Sequence, residues 1–171
     1  MRMRPFFAPL IAVLLSAALA GCGFQLRGTA TLPFETLYIP GTAGGGVPLD
    51  LKRNVQAGTR TRVVEDPKDA QAQIQFTETT YLRNILSLSA AGRVRELQLL
   101  YRVGFRVHDG KGGEYLPVTT VQLTRDLTYS DTDVLAKEAE EANIFREMQF
   151  DVVQQLLRRM SASTPPKPVV Q

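Results

Sequence analysis

The chain has 171 residues, enough for one domain with short appendages. Its formal charge of +3 includes Arg2 and Arg4 of an apparent export segment; without them the remainder is +1, which removes any bulk electrostatic drive toward nucleic acid. One cysteine and one histidine exclude an intrachain disulfide, a thiolate cluster and a metal site built on several histidines.

In chain order, Met1 to Arg4 is basic, Pro5 to Ala20 is almost wholly apolar, and Gly21-Cys22 follows. This is the layout of an export signal over residues 1–21. The apolar run falls short of the roughly 20 residues of a spanning helix. Leu19-Ala20-Gly21-Cys22 matches a lipobox. Small residues admit the peptidase, and the cysteine sulfur takes diacylglycerol. Cys22 is therefore the expected lipid attachment point, carrying S-diacylglycerol and an N-acyl chain such as palmitate, with no other cofactor. Two or three chains anchor stably, at about 0.8 kcal/mol per buried CH₂. Residue 23 is Gly rather than Asp. By resemblance to the sorting rules of Gram-negative lipoproteins, that implies the periplasmic side of the outer membrane.

The rest, residues 22–160, reads as one domain. Phe34 to Ile39 is short and β-rich, and Pro40-Gly41 stops it. Gly41 to Gly46 lacks the Lys-Ser/Thr of a phosphate-binding loop and reads as a connection. Pro48 to Gly58 predicts a helix, with Pro48 suited to the first turn, Leu51 and Val55 at i, i+4, and Gly58 as the stop. Thr61 to Glu65 predicts a short strand.

Ala72 to Thr77 alternates apolar and polar residues, and β character runs on through Tyr81 toward Leu88. Ala91-Gly92 marks a turn. Leu97, Leu99, Tyr101, Val103, Phe105 and Val107 then fall on one face of a strand. His108 to Gly113 reverses the chain, and Tyr115 to Tyr129 returns as the antiparallel partner. Pro117 marks an edge or a bulge. Ser130 to Asp133 offers helix N-caps. From Leu135 to Met160 an apolar stripe (Ala139, Ala142, Phe145, Met148, Val152, Leu156) steps by three or four, and Arg158 and Arg159 suit the helix C-terminus. Residues 161–171 hold three prolines and are expected to be disordered. The predicted class is α+β: a two-layer sandwich, two helices on one face of a roughly four-stranded, mostly antiparallel sheet.

Candidate chemistry is sparse. His108 sits at the lip of a turn beside Asp109, without the nucleophile and orienting carboxylate of a general base. Glu138, Glu140 and Glu141 sit near a helix start, where acids suit the dipole, and read as a solvated face. Catalysis is not expected.

The sequence Cys22-Gly23-Phe24-Gln25-Leu26-Arg27-Gly28 resembles the mature start of the LPS-assembly lipoproteins of the LptE (RlpB) family, with Gln25 where a histidine is typical. Leu135-Ala136-Lys137, continuing through Glu147-Met148 to Gln155-Leu156-Leu157-Arg158-Arg159, resembles the same family's Leu-Ala-Lys segment and C-terminal helix. The resemblance implies a non-enzymatic α/β sandwich that plugs and helps assemble the LptD β-barrel, binds lipopolysaccharide on its way to the surface, and meets the outer membrane through its lipid anchor. It also implies a basic contact at Lys137. The family's other basic residue, before the turn between the middle strands, aligns with Ala90. Arg93 and Arg95 flank that turn and could supply the charge instead, since phosphate and carboxylate groups favour Arg. An envelope lipoprotein that binds phospholipid or peptidoglycan fragments without a barrel partner is the competing reading; a hydrolase is the third.

Overall fold

The structure, a computed structural model, describes residues 31–129 and 134–166. The export segment, Cys22, the opening heptapeptide, the N-cap candidates Ser130 to Asp133 and the last residues of the tail lie outside the described residues. The elements are β1 (Thr36–Tyr38), α1 (Gly46–Gly58), β2 (Arg62–Val64), β3 (Ala72–Leu88), β4 (Val94–His108), β5 (Glu114–Thr128) and α2 (Val134–Ser161). They form one sheet in the order β2-β1-β3-β4-β5, with both helices on one face.

The expected two-layer α+β sandwich is therefore present, but the sheet has five strands rather than about four. The extra edge is β2. β1 pairs in parallel with both β2 and β3, whereas β3, β4 and β5 form a long antiparallel meander. Parallel pairing needs a crossover, and α1 supplies it between β1 and β2. The junction holds two buried hydroxyls, both satisfied. Thr36 Oγ1 donates to the Asp69 carbonyl and accepts from the Gln71 N–H, while Thr61 Oγ1 donates to the Phe34 carbonyl.

The core lies between the sheet and the helices. β4 contributes Leu99, Tyr101, Val103, Phe105 and Val107, α1 contributes Val47, Leu51 and Val55, and α2 contributes Met148, Val152, Leu156 and Met160. The period of two on the strand and of three or four on the helices brings these rows together. The apolar stripe of α2 begins to pack at Phe145, which is half-buried, and is fully buried from Met148 onward. Leu135 is 81% exposed, and Ala139 and Ala142 are exposed, so the first turns of α2 overhang the packed part of the sandwich.

An irregularity early in β3 sets the facing of the strand as far as Ile85, where the register shifts again. Phe76 pairs with Phe105 but Glu78 pairs with Gly104, so Thr77 is an extra residue, a β-bulge. Gly104 makes room for it. A Cβ on Gly104 would lie 2.6 Å from Thr77 Oγ1 and 3.4 Å from the Glu78 nitrogen. The bulge changes the parity of the strand. Ile74 and Phe76 face the helices before it; Thr79, Tyr81, Arg83 and Ile85, opposite Val103, Tyr101, Leu99 and Leu97, face them after it.

The other face of the sheet is open and polar. Arg106 Nε donates to Gln75 Oε1 and Arg106 pairs with Glu114. Arg102 Nε donates to Gln122 Oε1 and Arg102 pairs with Glu78. Gln98 donates to Asp126. These cross-strand pairs are solvent-compatible and individually weak.

Candidate functional site

Arg93 and Arg95 stand at the turn between β3 and β4. The Gly92 N–H donates to the Ser89 carbonyl, the Ser89 N–H to the Arg93 carbonyl, and the Arg93 N–H to Ser89 Oγ. Gly92 has φ +75°, which a residue without a Cβ adopts freely. Both arginines are exposed, and the Arg95 carbonyl accepts from the Tyr129 N–H, tying the turn to the end of β5.

Lys137 lies in the first turns of α2. Its Nζ is 2.8 Å from Glu140 Oε2, an i,i+3 pair. Glu141, at i,i+4, is engaged elsewhere, and it is not on the solvated face that the sequence suggests. Its side chain is 15% exposed. Glu141 Oε1 accepts from the Tyr81 hydroxyl at 2.8 Å, and Oε2 lies 3.3 Å from Arg83 Nη2. The Phe145 ring packs on Tyr81 and Tyr101, at centroid distances of 4.7 and 5.2 Å. Tyr81, Arg83, Glu138, Glu141, Ala142 and Phe145 line an open cleft of about 280 Å³.

The structure thus brings Lys137's helix to Arg83, a residue that sequence reasoning missed. From Arg83 to the end of β3 at Leu88 is about 17 Å of strand. Only the bulge at Thr77 aims Arg83 at α2, and the sequence carries no clear mark of it.

Burial, then the hydrogen bond and charge of Glu141, push the Tyr81 hydroxyl well above its ordinary value; Arg83 opposes this weakly. The folded chain therefore keeps a proton that the unfolded chain loses near pH 10. Such a contact stabilises fully below that pH, and its contribution is lost as the pH rises through the folded value. Tyr81→Phe is expected to make stability fall less steeply above about pH 10, because the titrating group is gone. Denaturant midpoints measured on both proteins across that range check this; parallel curves would contradict it.

His108 and Asp109 build the β4–β5 turn. His108 Nδ1 accepts from the Gly110 N–H, and Asp109 Oδ1 accepts from the N–H groups of Lys111 and Gly113. The Lys111 bond is the largest cause of the lowered Asp109 carboxyl pKa. These are turn contacts, with no nucleophile joined to them. Among the described residues no group of three His, Cys, Asp or Glu side chains could hold a metal ion.

The profile of the LptE lipopolysaccharide-assembly family matches residues 34–160. This chain belongs to the LptE family. An LPS-assembly lipoprotein LptE of Pectobacterium atrosepticum is 30% identical over 94% of this chain and 86% of its own length. One of Photorhabdus laumondii is 27% identical over 92% and 87%. Among solved structures, an uncharacterized lipoprotein B of Nitrosomonas europaea superposes with a TM-score of 0.70 at 42% identity, covering 82% of this chain and 91% of that one. The rare lipoprotein B of Shewanella oneidensis shares the fold, with a TM-score of 0.64 at 21% identity over 74% and 94%. The five-stranded sandwich is thus an LptE-family fold, and the chain is a lipopolysaccharide-assembly lipoprotein. No helix among the described residues is long and apolar enough to cross a membrane.

Proposed function

We propose that this LptE-family chain is lipidated at Cys22, stands on the periplasmic side of the outer membrane, plugs and helps assemble the LptD β-barrel, and binds lipopolysaccharide in transit. It acts without catalysis. The observation that carries this reading is the family match over nearly the whole folded region, residues 34–160. Two physical features support it. The lumen of a large outer-membrane barrel is polar, and the open face of the sheet, with its Arg102–Glu78 and Arg106–Glu114 pairs, suits such a wall. Lys137, Arg93 and Arg95 are basic groups on the overhanging helix start and the distal turn, the kind of side chain that binds the phosphates and carboxylates of a glycolipid.

Depletion of the chain is expected to reduce folded LptD in outer membranes, read as loss of the compact, heat-modifiable band on gels. Normal LptD folding after depletion would contradict the assembly role.

A further inference from the structure

The two edges of the sheet are unlike. β2 has three residues, too few to invite pairing. β5 has 15 and carries β4 on one side only. Its register with β4 runs unbroken from Glu96↔Thr128 to Phe105↔Thr119, and just past one end the Tyr129 N–H donates to the Arg95 carbonyl. Opposed residues of an antiparallel pair alternate between bonded and unbonded, so Thr119, Val121, Leu123, Arg125 and Leu127 bond β4. Thr120, Gln122, Thr124, Asp126 and Thr128 turn their N–H and C=O groups to the free edge.

The composition of this edge favours pairing. Val118 to Thr124 reads Val-Thr-Thr-Val-Gln-Leu-Thr, with no charge, no proline and no glycine. Such a segment on a free edge is a template for another strand. A second copy of the same segment fits it. With the copies antiparallel about a two-fold axis through Gln122, Thr120 of each meets Thr124 of the other, and Arg125 meets Thr119, so no charge opposes a like charge. The ladder would run through the outward groups of Thr120, Gln122 and Thr124.

The chain already occupies two of those groups. Arg159, in the last turn of α2, donates from Nη1 to the Thr120 carbonyl at 2.9 Å. Arg125 donates from Nη1 to the Thr124 carbonyl at 3.1 Å, while its Nη2 lies 2.9 Å from Asp151 Oδ2 on α2. Pro117, just ahead of the segment, has no N–H to offer. The two capped carbonyls stand symmetrically about Gln122, at the positions that two-fold pairing needs.

We infer that Arg125 and Arg159 hold the β5 edge closed to a second copy of this chain, which would otherwise pair with it antiparallel about Gln122. Arg159 suits the helix dipole on sequence grounds, and its reach to β5 also makes the end of α2 a latch along the sheet edge. No strong bond is required. Each cap only has to make pairing forfeit a hydrogen bond that it would gain. Nothing here depends on a barrel partner. Arg125 is exposed and Arg159 half-buried, so replacing them leaves the core intact.

The full lipidated chain in detergent is expected to sediment as a monomer. Changing Arg125 and Arg159 together to Ser should tighten self-association at least about tenfold, the worth of one or two hydrogen bonds. Adding Gln122→Pro should return that variant to the parent's behaviour, since it removes an outward N–H and leaves the ladder to β4 whole. An introduced cysteine reads the register. With Gln122→Cys, mild oxidation should link two copies through position 122 in the double variant and far less in the parent, the bond being located by peptide mass. With Gln56→Cys, on the exposed side of α1, both backgrounds should give the same low yield. Circular dichroism checks the fold; if the double variant is unfolded, Arg159→Ser alone is read in the same way. Equal self-association of the parent and the opened variant, association that survives Gln122→Pro, or linkage at position 56 as strong as at 122 would overturn the closed edge.

Discussion

Phe105→Ala is expected to destabilise the fold by about 3–5 kcal/mol. Phe105 is fully buried at the middle of β4, the central strand of the long meander, opposite Phe76 on β3 and Thr119 on β5. Truncation removes the ring's burial and leaves a cavity between the sheet and the helix layer, because neighbouring strands are fixed by their ladders and collapse only in part. Domains of this size are stable by about 5–15 kcal/mol, so the loss is a large share of the whole. The midpoint of thermal unfolding should fall by at least about 10 °C, at a few degrees per kcal/mol. Urea unfolding followed by circular dichroism measures it directly. A loss below about 1 kcal/mol would mean that the site repacks and that the core is not organised around β4.

The second large effect is on ligand retention. Changing Arg93, Arg95 and Lys137 together to Asp should weaken lipopolysaccharide retention by at least about 100-fold. A hydrogen bond to a charged group contributes about 1.5–3 kcal/mol, and each 1.4 kcal/mol is a factor of ten. Reversal adds repulsion where truncation would only remove attraction; at Lys137 a new carboxylate would stand one helical turn from Glu140. Stability should change by no more than about 0.5 kcal/mol per site, since Arg93 and Arg95 are exposed and the Lys137–Glu140 pair is a surface one. Unchanged retention in the folded triple variant would remove these residues from the binding surface.

The sequence makes the packed half of this fold readable. The alternation from Leu97 to Val107 survives as one buried row because both of its neighbours in the sheet are long antiparallel strands with the same period. Pro117 marks β5 as an edge strand for the same kind of local reason: it has no N–H to give a further neighbour. The parallel half is harder to read. β1 and β2 have three residues each, too few to show a period, and their pairing is decided by the α1 crossover and by the Thr36 and Thr61 hydroxyl bonds.

The site is less legible than the fold. Gln75, Phe76, Thr77 and Glu78 read as an uninterrupted strand, so nothing local announces that Thr77 is extra and that the residues after it switch faces. Arg83 and Glu141 become partners only because of that switch. Lys137 stands out by resemblance alone, and its ion pair forms with Glu140 rather than with the i,i+4 residue, because Glu141 is drawn to Tyr81 and Arg83. The apolar stripe of α2 likewise reads as continuous to Leu135, whereas packing begins at the half-buried Phe145 ring and full burial at Met148.

The central claim is that this lipoprotein works inside a barrel. Affinity capture of the lipidated chain from detergent-solubilised outer membranes, with the bound proteins identified by mass, tests it most directly. The account predicts that LptD is retained in a one-to-one complex that survives high salt; capture of the folded, lipidated chain with no barrel protein attached would contradict it.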